Sequence, residues 1–379
     1  MNMTKRSRCF IFSSVGIIIL ALIFIGLRPD SLQFLLAKTF PSDKVLLAKV
    51  VSVHEERQDI NGEPSFWDTI VIEFLTGSVR GEKTDIHNRL SATADPKQKI
   101  KVGETIIVAE STDFQGDRYY MADRYRLPTL VFLGLIFVLA IVVIGGIRGL
   151  TSLLGLAASL AVLLLFIIPR ILSGNDPLVI SFIGAVVIAV VSLYLAHGFS
   201  KRTTVALAGT LITLVIAIIL TVIFTSATNL LGIATEESFL LKLNVGNISL
   251  RGLLLAGIII GMLGVLDDVT IGQAATVQEI KEANPTLGLQ ELYRRGITVG
   301  KEHIASLVNT LVLAYAGTAL PLLLLLVVQG DNVPFWLAIN GEPIAEEIVR
   351  TLVGSLALVF AVPITTLIAA YYYGKARHS

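Results

Sequence analysis

Two adjacent acids, Asp267 and Asp268, interrupt the stretch GMLGVLDDVTIGQAATVQEI, which follows directly on the apolar run LRGLLLAGIII. An ionised aspartate at mid-bilayer costs about 2.5–3.5 kcal/mol on insertion scales, so such residues persist where they do chemistry. Two neighbouring carboxylates also repel, and they are expected to titrate as a pair with a donor or cation close by. Successive helix residues point ~100° apart. One acid therefore faces the bundle centre and the other a neighbouring helix. The chemistry this suits is a proton or cation relay.

The surroundings fit that reading. Thr270 and Gln273 offer a hydroxyl and an amide about one turn further along. Gly257, Gly261 and Gly264 thin one side of the same segment, and the Gly257/Gly261 pair has the small-xxx-small spacing that lets another helix backbone approach. The next apolar run, ASLVNTLVLAYAGTALPLL, carries Asn309. Asn309 either hydrogen-bonds a carboxylate across the helix pair or merely joins helices. Thr310, Tyr315 and Thr318 are read as structural, with Thr310 bonding its own turn. Glu346 and Arg350 have the i,i+4 spacing of an ion pair. His197, Lys201 and Arg202 read as interface anchors, and Glu302 and His303 enter the next span. The alternative for the acidic pair is a helix that stops near Leu266, which would make it a solvated helix end.

These residues must be held by membrane helices. The chain has 379 residues, 54% of them hydrophobic and 16% charged, with a mean hydropathy of +0.77. Apolar runs at 9–27, 129–147, 150–172, 177–197, 203–226, 249–275, 302–328 and 345–373 are each long enough to cross a bilayer. With the N-terminus inside, Arg148, Lys201, Arg202, Lys281, Arg294, Arg295, Lys301, Lys375 and Arg377 fall on the cytoplasmic side. Asp176, Glu236, Glu237, Asp331 and Glu342 fall outside, with Arg170 and Lys242 as the basic residues there. This is the positive-inside pattern for about eight spans with both termini cytoplasmic. Lys5, Arg6 and Arg8 precede the first run, and no small-x-small cleavage site follows it, so 1–27 reads as an uncleaved anchor. Cys9 is the only cysteine, which rules out an internal disulfide.

Residues 28–127 change character. VLLAKVVSV, WDTIVIEFLTG and ETIIVAES are β-rich runs separated by turn-like breaks. They predict a small extracytoplasmic all-β domain, a barrel of about five strands of the oligomer-binding type. KVGETIIV reads as a tight turn feeding a strand. His54, His87, Asp85 and Glu73 lack metal-ligand spacing and read as ordinary exposed strand residues. Residues 128–248 hold four spans and an outer loop in which EESFLLKL is either a short interfacial helix or a segment packed on helix ends. Residues 249–379 hold the last three spans. Between 276 and 301 a helix ends, Asn284-Pro285 breaks the chain, and a second short amphipathic helix follows.

Several classes are excluded or disfavoured. The net charge of +1, without a basic patch, gives no support to nucleic-acid binding. No phosphate-binding glycine loop, H-E-x-x-H or Ser-His pairing is present, and membrane aspartyl proteases need two separated acids. No enzyme activity, metal or cofactor is expected.

Over nearly its whole length the sequence resembles the YibE/F family of bacterial membrane proteins: one anchor, an outer β domain, then a helical block with GMLGVLDDVTIGQAATVQEI and HIASLVNTLVLAYAGTALPLLLL. More distantly, residues 249–373 are similar in layout to the second half of the transmembrane unit of SecD/SecF and RND exporters. The pieces that correspond are GVLDD, LQELYRRGITVGKEHI, VNTLVLAYAGT and TLVGSLALVF. That resemblance implies Asp267 or Asp268 as proton carrier, Asn309 as its partner, and pairing with a second copy or a paralogous membrane protein. The expected protein is thus a polytopic α-helical cell-membrane protein serving proton- or ion-coupled transport or secretion, in contact with membrane lipid. The alternative is a non-transporting scaffold or sensor whose outer β domain binds an envelope partner.

Overall fold

A computed structural model describes residues 45–60, 63–90, 99–110, 119–329 and 334–375. The expected anchor at 9–27 with Cys9, Lys5, Arg6 and Arg8 lies outside the described residues, as do Asp331 and Arg377. The chain forms two compact units, one over Leu32–Ile141 and one that includes Val142–Ser379.

The first unit is built on β1 (Val45–Ile60), β2 (Glu63–Phe74), β3 (Lys83–Leu90), β4 (Thr105–Glu110) and β5 (Tyr119–Arg124). They make one sheet in the order β3-β2-β1-β4-β5, each neighbouring pair antiparallel. Period-2 alternation sets its inner face: Leu46, Ala48 and Val50 from β1 meet Ile70, Ile72 and Phe74 from β2 and Ile106 and Val108 from β4. A register shift between Val50 and Ser52 bulges β1. Bulges bend the strand and raise its twist, and the edge strands β3 and β5 come near one another, giving a half-barrel. The predicted turn at KVGETIIV is present. Gly103 has φ +91°, its N–H donates to the Val50 carbonyl at 2.9 Å, and the Val50 N–H donates to Glu104 at 2.9 Å. At the end of β5 the Arg126 guanidinium donates to both Asp123 carboxylate oxygens at 2.8 Å and holds that carboxyl below its usual range.

The helices are α1 (Leu127–Val162), a π turn (Leu163–Ile167), α2 (Ile168–Leu172), α3 (Pro177–His197), α4 (Lys201–Ala227), α5 (Glu236–Val245), α6 (Leu250–Ala283), α7 (Leu289–Thr318), α8 (Leu320–Gln329), α9 (Phe335–Asn340) and α10 (Glu342–Lys375). Their starts are written in the sequence. Asp176, Ser200 and Ser249 accept from the N–H groups of Val179, Thr203 and Gly252, and Pro177 fills the first position of α3. In the helical unit α6 is central, packing on α3, α4, α7 and α10. Leu254, Ile258, Met262, Leu266 and Val269 of α6 lie in one core with Leu214, Val353, Ala357 and Ala361.

Among the described residues five helices are long and apolar enough to cross a membrane, or six when the bent pair α7–α8 counts as one. This is an α-helical membrane protein with a small β half-barrel. Of the eight expected spans, 9–27 lies outside the described residues, and the spans on either side of Gly146 meet at a kink. The runs 129–147 and 150–172 fall in one helical stretch, Leu127–Leu172, whose backbone leaves helical geometry at Gly146, φ 57°. The most apolar window of that stretch has no buried residue, as befits a lipid-facing surface. The run 302–328 breaks after Thr318 with a bend of 65°. Pro321 cannot continue the hydrogen-bond ladder there. The separate amphipathic helix expected before residue 301 is instead the first half of α7, continuous from Leu289. Gly296 and Gly300 let that half pack tightly on Val277, Val362 and Thr366. EESFLLKL is helical in α5, capped by Thr235. Leu241 and Val245 of α5 pack on the core, while Phe239, Leu240 and Leu243 remain exposed.

Candidate functional site

α6 runs unbroken to Ala283, so the acidic pair lies at mid-helix. Asp267 is half-buried and Asp268 exposed, the divergence expected from adjacent helix positions.

Asp267 is held by α3. The Ser192 hydroxyl donates to Asp267 Oδ2 at 2.7 Å. Asp267 Oδ1 is buried and has no hydrogen-bond partner in the protein. One turn on, the Thr270 hydroxyl donates to the Asp267 carbonyl at 3.1 Å and shares a 2.8 Å hydrogen bond with Thr210 of α4. Both carboxylates line a cavity of about 310 Å³ between α1, α3 and α6, together with the hydroxyls of Ser152, Ser159 and Ser192 and the imidazole of His197. An acid with one hydroxyl donor and one unmatched oxygen, at the wall of a cavity that also holds hydroxyls and an imidazole, can take up and release a proton or contribute to a small-cation site.

Gln273 is fully buried and ties three helices. Its amide N–H groups donate to the Gly296 carbonyl at 2.8 Å and to Thr366 Oγ1 at 2.7 Å. Asn309 is not brought to the carboxylates. It is exposed, and the side chain bonded to Asp267 comes from α3 instead. Thr310 bonds its own turn through the Ser306 carbonyl at 2.9 Å. The glycine face also differs from expectation. A side chain at Gly257 or Gly264 would meet nothing within 4 Å, and one at Gly261 would meet only the Tyr315 hydroxyl. Gly264 serves to open the cavity wall. Arg350 pairs with Glu347 at 2.5 Å, not with Glu346. Ser192, His197 and Thr210 were not read as site residues. A lone serine or threonine in an apolar run has no periodic signal, and His197 at a helix end looks like an anchor. Among the described residues no three His, Cys, Asp or Glu side chains converge as metal ligands.

No curated protein and no solved structure matches the chain. The family model described as YibE/F-like protein matches residues 133–375, a span that takes in Ser192, Asp267, Asp268 and every helix packed around them. The chain belongs to the YibE/F family.

Proposed function

We propose that the protein couples movement of a proton or small cation to transport or secretion, with Asp267 as the carrier and Asp268 as its electrostatic neighbour. The observation that supports this most directly is the Asp267 carboxylate, held at mid-helix by Ser192 and leaving one buried oxygen unmatched. Thr270 and Gln273 extend the polar line from it along α6. Membrane segments retain ionisable groups for such relays. In this reading the protein sits in the bacterial cell membrane with both termini cytoplasmic and residues 28–127 outside, where the half-barrel acts as an oligomer-binding-type module moved by the helices. The relay is not an enzyme active site and uses no cofactor. Pairing with a second copy or a paralogue goes with the exporter-like layout of residues 249–373.

Reconstitution into liposomes with an internal pH-sensitive dye tests the reading. Intact protein is expected to carry protons on an imposed gradient. Asp267→Asn together with Asp268→Asn is expected to abolish the flux while the protein stays in the membrane. Equal flux from the double variant would sink the proposal.

A further inference from the structure

His197 is the last residue of α3 and is exposed, yet it also lines the cavity that holds Asp267 and Asp268. It stands five positions past Ser192, which carries it about 7.5 Å further toward the helix end than the serine bonded to Asp267. Beyond it the chain turns at Gly198 into α4, whose first residues are Lys201 and Arg202. A side chain shared by a cavity and the surface can pass a proton between them.

The cavity lining is sorted by polarity in the same direction. Two contacts set α1 against α3. The Thr151 hydroxyl donates to the Ala196 carbonyl at 3.4 Å, and Gly155 lies against the Ser192 carbonyl. They put Ser152, which is exposed, at the end where His197 lies. Ser159 lies one turn further in, and its hydroxyl donates to the Gly155 carbonyl at 2.9 Å. Beyond the acids, away from His197, the wall is aliphatic: Leu163, Ile188 and Ile260. Water is held by polar partners, so the polar end is the wet one. At about 30 Å³ per water, a volume of about 310 Å³ has room for several.

Among the described residues the charges that act on the His197 ring are Asp268 from α6 and Arg202 from α4. The α1 side offers the neutral Ser152 hydroxyl. A carboxylate and a guanidinium act on an imidazolium with opposite signs. Imidazole is also the side chain that ordinarily changes charge near neutral pH.

We infer that His197 is the port through which the Asp267–Asp268 pair exchanges protons with the aqueous phase, at the end of the bundle that carries Lys201 and Arg202. This rests on the reading of Asp267 as a carrier. A proton leaving the Asp267 carboxylic acid crosses cavity water to one ring nitrogen, which leaves the carboxylate and an imidazolium. The imidazolium releases the proton on its other nitrogen to outside water, and the neutral ring is regenerated as the other tautomer. Uptake from this side is the same sequence in reverse.

The test uses the full chain in liposomes with the same dye. His197→Ala is expected to lower proton flux about tenfold or more. His197→Gln keeps a polar side chain without a titrating ring and is expected to be as slow. Free histidine in the buffer on both faces is a soluble imidazole too polar to cross the bilayer. It is expected to speed His197→Ala several-fold and to leave the wild type and the double Asp267→Asn, Asp268→Asn variant unchanged. A ring that only packed the helix end would not be replaced in this way. Wild-type flux from His197→Ala would mean that protons reach Asp267 by another route, and the Asp267 reading would stand alone. A slow His197→Ala that free histidine does not speed would make the ring a structural anchor and likewise overturn the port. A wild type that carries no protons overturns both readings.

Discussion

The Ser192 hydroxyl donates to the Asp267 carboxylate at 2.7 Å, and that makes it the first residue to remove. A hydrogen bond to a charged acceptor contributes about 1.5–3 kcal/mol, more than a neutral one. Ser192→Ala removes that donor from the carboxylate. It is expected to reduce the initial rate of proton flux about fivefold or more, with little change in the thermal midpoint in detergent. Ser192→Thr retains the hydroxyl and is expected to recover most of the rate. Equal rates for wild type and Ser192→Ala would mean that the serine only fills space. The two acids themselves were legible, because a charge in an apolar run needs a reason. Their partner was not. Ser192 sits 75 positions away, and nothing in VVSLYLAHG separates it from a packing serine. Glu346 was misread for the opposite reason. Its i,i+4 neighbour Arg350 offered a ready ion pair, but Glu347 lies closer on the helix surface and takes the arginine.

Glycines on α6 and α7 show how far a spacing rule carries at the scale of the element. The Gly257/Gly261 pair has the pattern for close helix contact, yet a Cβ at Gly257 would meet nothing within 4 Å. The tight contacts are on α7, where a Cβ at Gly300 would overlap the Val362 side chain and come within 3.2 Å of the Gln273 amide. The two positions should respond in opposite directions. Gly257→Ala gains helix propensity, about 0.5–1 kcal/mol, at no steric cost. Gly300→Ala forces the packed interface apart, at about 1–3 kcal/mol. Thermal unfolding in detergent is expected to show an unchanged or raised midpoint for Gly257→Ala and a lowered one for Gly300→Ala. A lowered midpoint for Gly257→Ala would indicate that another backbone covers that face. The apolar runs expected at 177–197, 203–226 and 249–275 begin within two residues of α3, α4 and α6. The continuity of α7 was not, because its amphipathic first half and apolar second half look like two elements.

The two ends of the helical unit differ in charge, which at the scale of the whole molecule gives the proposed orientation a direct test. At one end the α10 terminus at Gly374 touches Leu289 and Lys201 lies over Tyr372, gathering Lys201, Arg202, Lys281, Arg294, Arg295 and Lys375 nearby. At the other end Gly232 abuts Leu250 and Glu342 caps the Leu231–Gly232 backbone. Asp176, Glu236 and Glu237 belong to this end. Basic residues are retained on the cytoplasmic side of short loops. In a Cys9→Ser background, Glu237→Cys and His54→Cys are expected to react with a membrane-impermeant thiol reagent in intact cells. Gln290→Cys is expected to react only after permeabilisation. All three residues are exposed, so a failure to react reports the membrane and not burial in the protein. Labelling of Gln290→Cys in intact cells, with Glu237→Cys protected, would invert the bundle.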